Sequence, residues 1–167
     1  MNKKVLLEKA EILSRMIMNT RADYMSSGAT EKQKGLLETL VGAGIWYLPS
    51  SDELYSGKIS VSAYEALQAN PRLTKLVEEH GYPRKVAGNH LYTKFFDRIT
   101  PDGSGLVDLY VNHFGRFNLV LKTENGRLKP FQKVSTFVDE SSAYEHAGID
   151  LVPFSVEEYK EYKRALR

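Results

Sequence analysis

The chain reads as a mainly helical α+β domain with a small two-stranded element, and three observations point there. Apolar residues recur at helical spacing through the first fifty positions, pairs of Ser/Thr and Glu/Gln three residues apart mark helix starts, and one apolar strand at residues 117–121 runs straight into a further helix start.

Leu6, Ala10, Leu13, Ile17 and Tyr24 fall on one face of a helix over residues 3–24, which Ser26, Ser27 and Gly28 terminate. Thr30 and Gln33 form a capping box, in which each side chain satisfies a free backbone N–H at the start of a second helix. Its apolar face is expected to run through Leu36, Leu37, Leu40, Val41, Ile45 and Trp46 as far as Pro49. The two helices make a hairpin suited to core formation or dimerisation.

Residues 49–58, with Ser50, Ser51, Asp52, Ser56 and Gly57, read as a loop, and residues 60–70 as a short helix stopped by Asn70 and Pro71. Residues 73–80 fit either a helical face, through Leu73, Leu76 and Val77, or a strand ended by Gly81, Tyr82 and Pro83. The fixed φ of Pro83 suits the first position of a helix through Val86, Leu91, Phe95 and Phe96 to Arg98. Thr100, Pro101, Asp102 and Gly103 make a turn, and residues 106–114 a helix, with the alternation of Asp108, Tyr110 and Asn112 leaving a strand open. After the strand at 117–121, Thr123 is placed to cap a helix over 124–131 with Glu124 in its first turn. Ser155 and Glu158 form a second capping box, opening a last helix that packs through Val156, Tyr159, Tyr162 and Leu166.

At 167 residues, 42% hydrophobic and 26% charged, the chain can bury a core as a single domain. Its expected parts are a helical N-terminal part at 1–70, a functional core at 73–133 and a C-terminal extension at 134–167. No apolar run approaches the roughly 20 residues of a membrane span, and Lys3, Lys4, Glu8 and Glu11 leave no apolar signal region, so a soluble cytoplasmic protein is expected. The absence of cysteine excludes disulfides, thiolate metal sites and a cysteine nucleophile; any metal must rest on His, Asp, Glu, Asn or water. A net charge of +2 and a pI near 8.7 permit nucleic-acid binding without demanding it.

The residues most suggestive of chemistry are Glu79 and His80, followed by Gly81, Tyr82 and Pro83, and, much later, the segment from Phe117 to Asn125. An acidic residue beside a histidine ends an extended stretch, a proline follows, and an apolar strand later enters a helix near Asn125. In such an order of parts the imidazole can take a proton from water while a carboxylate and a helix amide hold one divalent cation.

This pattern resembles the HNH, or His-Me finger, endonucleases, whose ββα-metal element carries an Asp-His or Glu-His on its first strand with a proline shortly after. The second strand and helix of that family are similar to Asn118, Leu119, Leu121, Asn125 and Lys129 here. The resemblance covers roughly forty residues and implies a small ββα-metal-like element with a helical pair inserted between His80 and Asn125. It further implies a divalent-metal-dependent DNA endonuclease with a restriction or phage-related role. In it His80 is the general base, Asn118 orients the His80 ring, Glu79 and Asn125 hold Mg²⁺ or Mn²⁺, and Arg84, Lys85, Arg116, Arg127 and Lys129 face the phosphates of DNA. A homodimer through the N-terminal helices follows from the same comparison, since many duplex cutters act as pairs.

Other readings stand beside it. The Glu79, His80 pair also suits a helix end, where a histidine cation is favoured, and Asn125 suits a capping or solvated position. His90, His113 and His146 read as structural. Phe114, Arg116, Phe117 and Lys122, with Tyr92, Lys94, Phe95 and Arg98, interleave aromatic and basic residues, which fits either base stacking or a core face with extended cations. A second nuclease pattern, from Pro101 and Asp102 through Asp108 to Lys122 or Glu124, lacks the Asp-x-Lys or Glu-x-Lys it needs, and neither a phosphate-binding P-loop nor a Gly-x-Ser-x-Gly elbow occurs. The rival to the endonuclease is a non-catalytic DNA-binding or protein-interaction module of bacterial or phage origin.

Overall fold

The computed structural model describes residues 1–166. It has an α+β fold, mainly helical, with helices α1 (Lys3–Met25), α2 (Glu31–Trp46), α3 (Val61–Ala69), α4 (Arg84–Tyr92), α5 (Ser104–Leu109), α6 (Lys122–Leu128), α7 (Glu140–His146) and α8 (Val156–Ala165). The strands are β1 (Tyr55–Ser60), β2 (Leu76–Glu79), β3 (Phe117–Leu121) and β4 (Leu151–Pro153). No helix among the described residues is long and apolar enough to cross a membrane.

The chain divides into two compact units, each built from two stretches. A helical unit takes residues 1–51 and 82–115, and a sheet unit takes residues 52–81 and 116–167. The segment 73–133 therefore contributes to both.

In the helical unit, α1 is capped by Asn2, whose side chain accepts the Val5 N–H, and it buries Leu6, Ala10, Leu13, Ile17 and Tyr24 as its spacing predicts. The Thr30 and Gln33 capping box opens α2 as expected. The buried face of α2 differs from expectation, because Glu38, Val41, Gly42 and Ile45 point inward while Leu36 and Leu40 point to solvent. The cause is a close crossing with α4. A Cβ on Gly88 would stand 2.2 Å from the Glu38 carbonyl oxygen, and one on Gly42 2.3 Å from the Arg84 carbonyl oxygen, so two glycines let the backbones meet. The Glu38 carboxylate is accommodated by hydrogen bonds from Tyr24 (2.8 Å) and Asn89 (3.0 Å) and by Lys85 at 3.7 Å.

Pro83 precedes α4 as its cap residue, and the helix ends at Tyr92 rather than at Arg98; a turn and a 3₁₀ segment, Phe96–Arg98, follow. The expected turn at Thr100 to Gly103 is present, with Gly103 at φ 79°. Beyond α5 the backbone widens into a π-helical turn, Tyr110–Phe114, closed by the Gly115 N–H on the Tyr110 carbonyl at 2.7 Å.

The sheet unit holds one sheet in the order β2-β3-β1-β4, so the expected two-stranded element has four strands. β3 runs antiparallel to β2 and parallel to β1, and β1 runs antiparallel to β4. The stretch read as a loop at 49–58 contains a 3₁₀ turn, Asp52–Leu54, and most of β1, whose Ile59 is fully buried. Residues 73–80 resolve as strand over Leu76–Glu79.

Helix α6 begins at Lys122 with Leu121 before it, so Thr123 lies inside the helix instead of capping it; Glu124 reaches back to accept the Leu121 N–H at 2.8 Å. The Ser155 and Glu158 box opens α8 as expected, and Tyr159 and Tyr162 are buried, whereas Val156 and Leu166 stay exposed. The chain between β2 and β3 includes α4 and α5, so helices do stand between His80 and Asn125.

Candidate functional site

Strand β2 ends at Glu79, directly across the ladder from Asn118 on β3. Residues opposite one another on paired strands present their side chains to the same face, so register alone brings these two polar groups together. Both are withdrawn from solvent, Glu79 to 4% exposure and Asn118 to 1%. A buried carboxyl and amide of this kind must find partners nearby.

The partners come from β1, α7 and the turn after α6. Gln132 donates to Glu79 Oε1 at 2.6 Å, and the Tyr144 hydroxyl donates to Glu79 Oε2. The Asn118 amide nitrogen donates to Glu140 Oε1 at 2.7 Å and to the Tyr144 oxygen at 3.0 Å, while its carbonyl oxygen accepts from the Ser56 hydroxyl. Glu140 and Tyr144 are one helical turn apart on α7 and so share a face, and Asp139 starts that helix by accepting the Ser142 N–H at 2.8 Å. Gly81 leaves space for the Glu140 carboxyl, since a Cβ there would lie 2.2 Å from its Cδ.

Burial raises the Glu79 pKa above the ordinary carboxylate range; the Tyr144 and Gln132 hydrogen bonds pull it back in part, and the Glu140 charge raises it again. Tyr144 is pushed far up, first by burial and then by Glu79, which keeps its hydroxyl protonated and donating. The cluster is a satisfied network in which one tyrosine and one asparagine tie two carboxyl groups together.

Among the residues expected to act, Glu79 and Asn118 are brought together in this network. His80 follows Glu79 and is half-buried, with its ring 5.9 Å from that of Phe117 and edge-on to it. Asn125 is half-buried on α6 and is not a member of the network. Both oxygens of Glu79 accept hydrogen bonds, from Gln132 and Tyr144, and no group of three His, Asp or Glu side chains converges among the described residues.

Of the expected phosphate contacts, Arg84 and Lys85 belong to the helical unit and have partners there, Arg84 lying 4.4 Å over the Trp46 ring and Lys85 beside Glu38. Arg116, Arg127 and Lys129 belong to the sheet unit. The interleaved aromatics Tyr92, Phe114 and Phe117 are core residues, which removes them as stacking platforms for bases. Ser56, Gln132, Glu140 and Tyr144 went unrecognised in the sequence. The one signal there was the four-residue spacing of Glu140 and Tyr144 after a capping Asp139, which places them on one helical face without naming what they face.

No protein-family model, curated protein or solved structure matches this chain.

Proposed function

We propose that the protein binds DNA, and that the sheet unit holds the phosphate backbone through the basic run from Arg116 to Lys133. The observation that carries this reading is the sign of the charge left outside. That stretch contains Arg116, Lys122, Arg127, Lys129 and Lys133 against a single acid, Glu124. Glu124 is 3% exposed and is bound to Ser60 at 2.5 Å and to the Leu121 N–H, and its ion pair here is with Arg127 at 3.7 Å, so its charge is folded inward against Arg127 while Lys122, Lys129 and Lys133 are exposed beside them. A run of exposed cations with its one counter-charge buried is suited to a polyanion.

A second reading, hydrolysis of the bound strand in the manner of an HNH endonuclease with Mg²⁺ or Mn²⁺, is favoured by the order of parts. β2 ends at Glu79 with His80 next, β3 pairs antiparallel with it, and α6 follows β3 at once. The inward bonding of Glu79 and Asn118 favours binding without cleavage.

Fluorescence anisotropy with a labelled duplex across a salt series tests the binding. Log affinity is expected to fall linearly with log salt, and the double variant Arg127→Ala/Lys129→Ala to weaken binding on unrelated sequences alike while reducing the slope by about 2. Binding that ignores salt and these two residues would sink the proposal. Plasmid incubated with the protein in Mg²⁺, Mn²⁺ or EDTA is expected to stay intact; metal-dependent cutting lost in His80→Ala would establish the second reading instead.

A further inference from the structure

The turn that follows α6 brings an aromatic ring into the basic run. Phe131 ends the 3₁₀ segment Lys129–Phe131, and Lys129 and Lys133, both exposed, stand two residues to either side of it. Against it lies His146, the last residue of α7, with its ring 5.5 Å from that of Phe131 and within 26° of parallel. Phe131 is half-buried and His146 is exposed, so the pair reaches solvent. The His146 Nδ1–H donates to the Ser142 carbonyl oxygen at 2.6 Å, which fixes the plane of the ring. The buried network holds the two rings together. Glu79 accepts Gln132 on one oxygen and Tyr144 on the other, so a single carboxyl clamps the residue after Phe131 to the helix that carries His146. The Thr136 hydroxyl closes the turn onto the Pro130 carbonyl at 2.8 Å.

We infer that the Phe131 and His146 pair is a stacking platform for bases, and that the DNA held by the basic run is single-stranded. This rests on the DNA-binding reading above and narrows it. Cations alone would hold either form, because a duplex and a single strand carry the same phosphates. An aromatic surface among the cations discriminates. In a duplex each base is covered by its neighbours in the stack, whereas a single strand can turn a base onto a ring while its phosphates stay beside the lysines. The acids of α7 leave the platform clear. Glu140 is bonded to Asn118 within the network at 2.7 Å, Asp139 accepts the Ser142 N–H at the far end of the helix, and Glu145 projects about 100° round the helix from His146. Because the Glu79 clamp sets the rings in place beforehand, a base meets them without further ordering of the chain.

Anisotropy of the full chain with a labelled oligothymidylate and with a duplex of the same length tests it. At one salt concentration the single strand is expected to bind more tightly than the duplex. His146→Ala is expected to weaken the single strand about fivefold or more while leaving duplex affinity and the salt slope as in the wild type. Phe131→Leu, which keeps an apolar side chain but removes the ring, is expected to do the same. Unchanged duplex binding also shows that both variants are folded. Equal affinity for the two forms, single-strand binding indifferent to both ring variants, or an equal loss on both forms would overturn the platform and leave phosphate binding by the basic run standing. Binding of neither form at low salt would overturn both.

Discussion

Glu79 has one set of neighbours in sequence and another in space, and the two sets suggest different chemistry. Beside His80 it looks like half of a catalytic pair. In the fold it is a buried carboxyl braced by Tyr144 and Gln132, its pKa raised first of all by desolvation. The sign of its pH effect follows. A carboxyl whose folded pKa lies above its unfolded one stabilises the fold fully below the unfolded pKa of about 4.3, and that contribution is lost as the pH rises through the raised folded value. Urea midpoints of the wild type should therefore decline over that interval relative to those of Glu79→Gln, whose amide does not titrate yet keeps an oxygen for Tyr144. Parallel pH profiles for the two proteins would contradict this account of the carboxyl.

At the scale of elements, the α2 and α4 crossing and the sheet mark what the sequence could and could not convey. The α1 face and both capping boxes were legible, because a helix face and a cap are written within a few consecutive residues. Strand β1 was not, since Tyr55, Ser56, Gly57 and Lys58 carry turn-like chemistry and become strand only by pairing with β3, about sixty residues away. β4 is three residues long, too short for any periodicity. The inward face of α2 was misjudged because Leu36 and Leu40 outrank Glu38 and Gly42 in hydrophobicity, while the fold depends on the smallness of Gly42 and Gly88. Strand β3 and the helix after it were legible from residues 117–125, whereas residues 73–80 stayed open between helix and strand until pairing with β3 made them β2, and the closed network was not legible, because Gln132 and the Glu140, Tyr144 pair arrive from separate turns of chain. Gly88→Ala should cost about 1–3 kcal/mol by forcing the helices apart, visible as a lower thermal midpoint. A melt unchanged from wild type would show that the crossing has slack.

Across the whole molecule, each unit is assembled from two stretches of chain, with residues 82–115 of the helical unit lying between strands β2 and β3 of the sheet unit. β3 pairs with both β2 and β1, so the sheet cannot form without it. A fragment ending at Gly115 is accordingly expected to keep a helical circular dichroism signal and a protease-resistant set of α1, α2 and α4, while residues 52–81 are cut readily. Resistance across that whole region would mean that β1 and β2 find order without their partner. The interleaving also sets a timetable on the ribosome. The last residues of the helical unit emerge before β3, so the helices can close while β1 and β2 still wait with bare edges, and a pause in translation just after residue 115 would prolong the interval in which those edges are open to other chains.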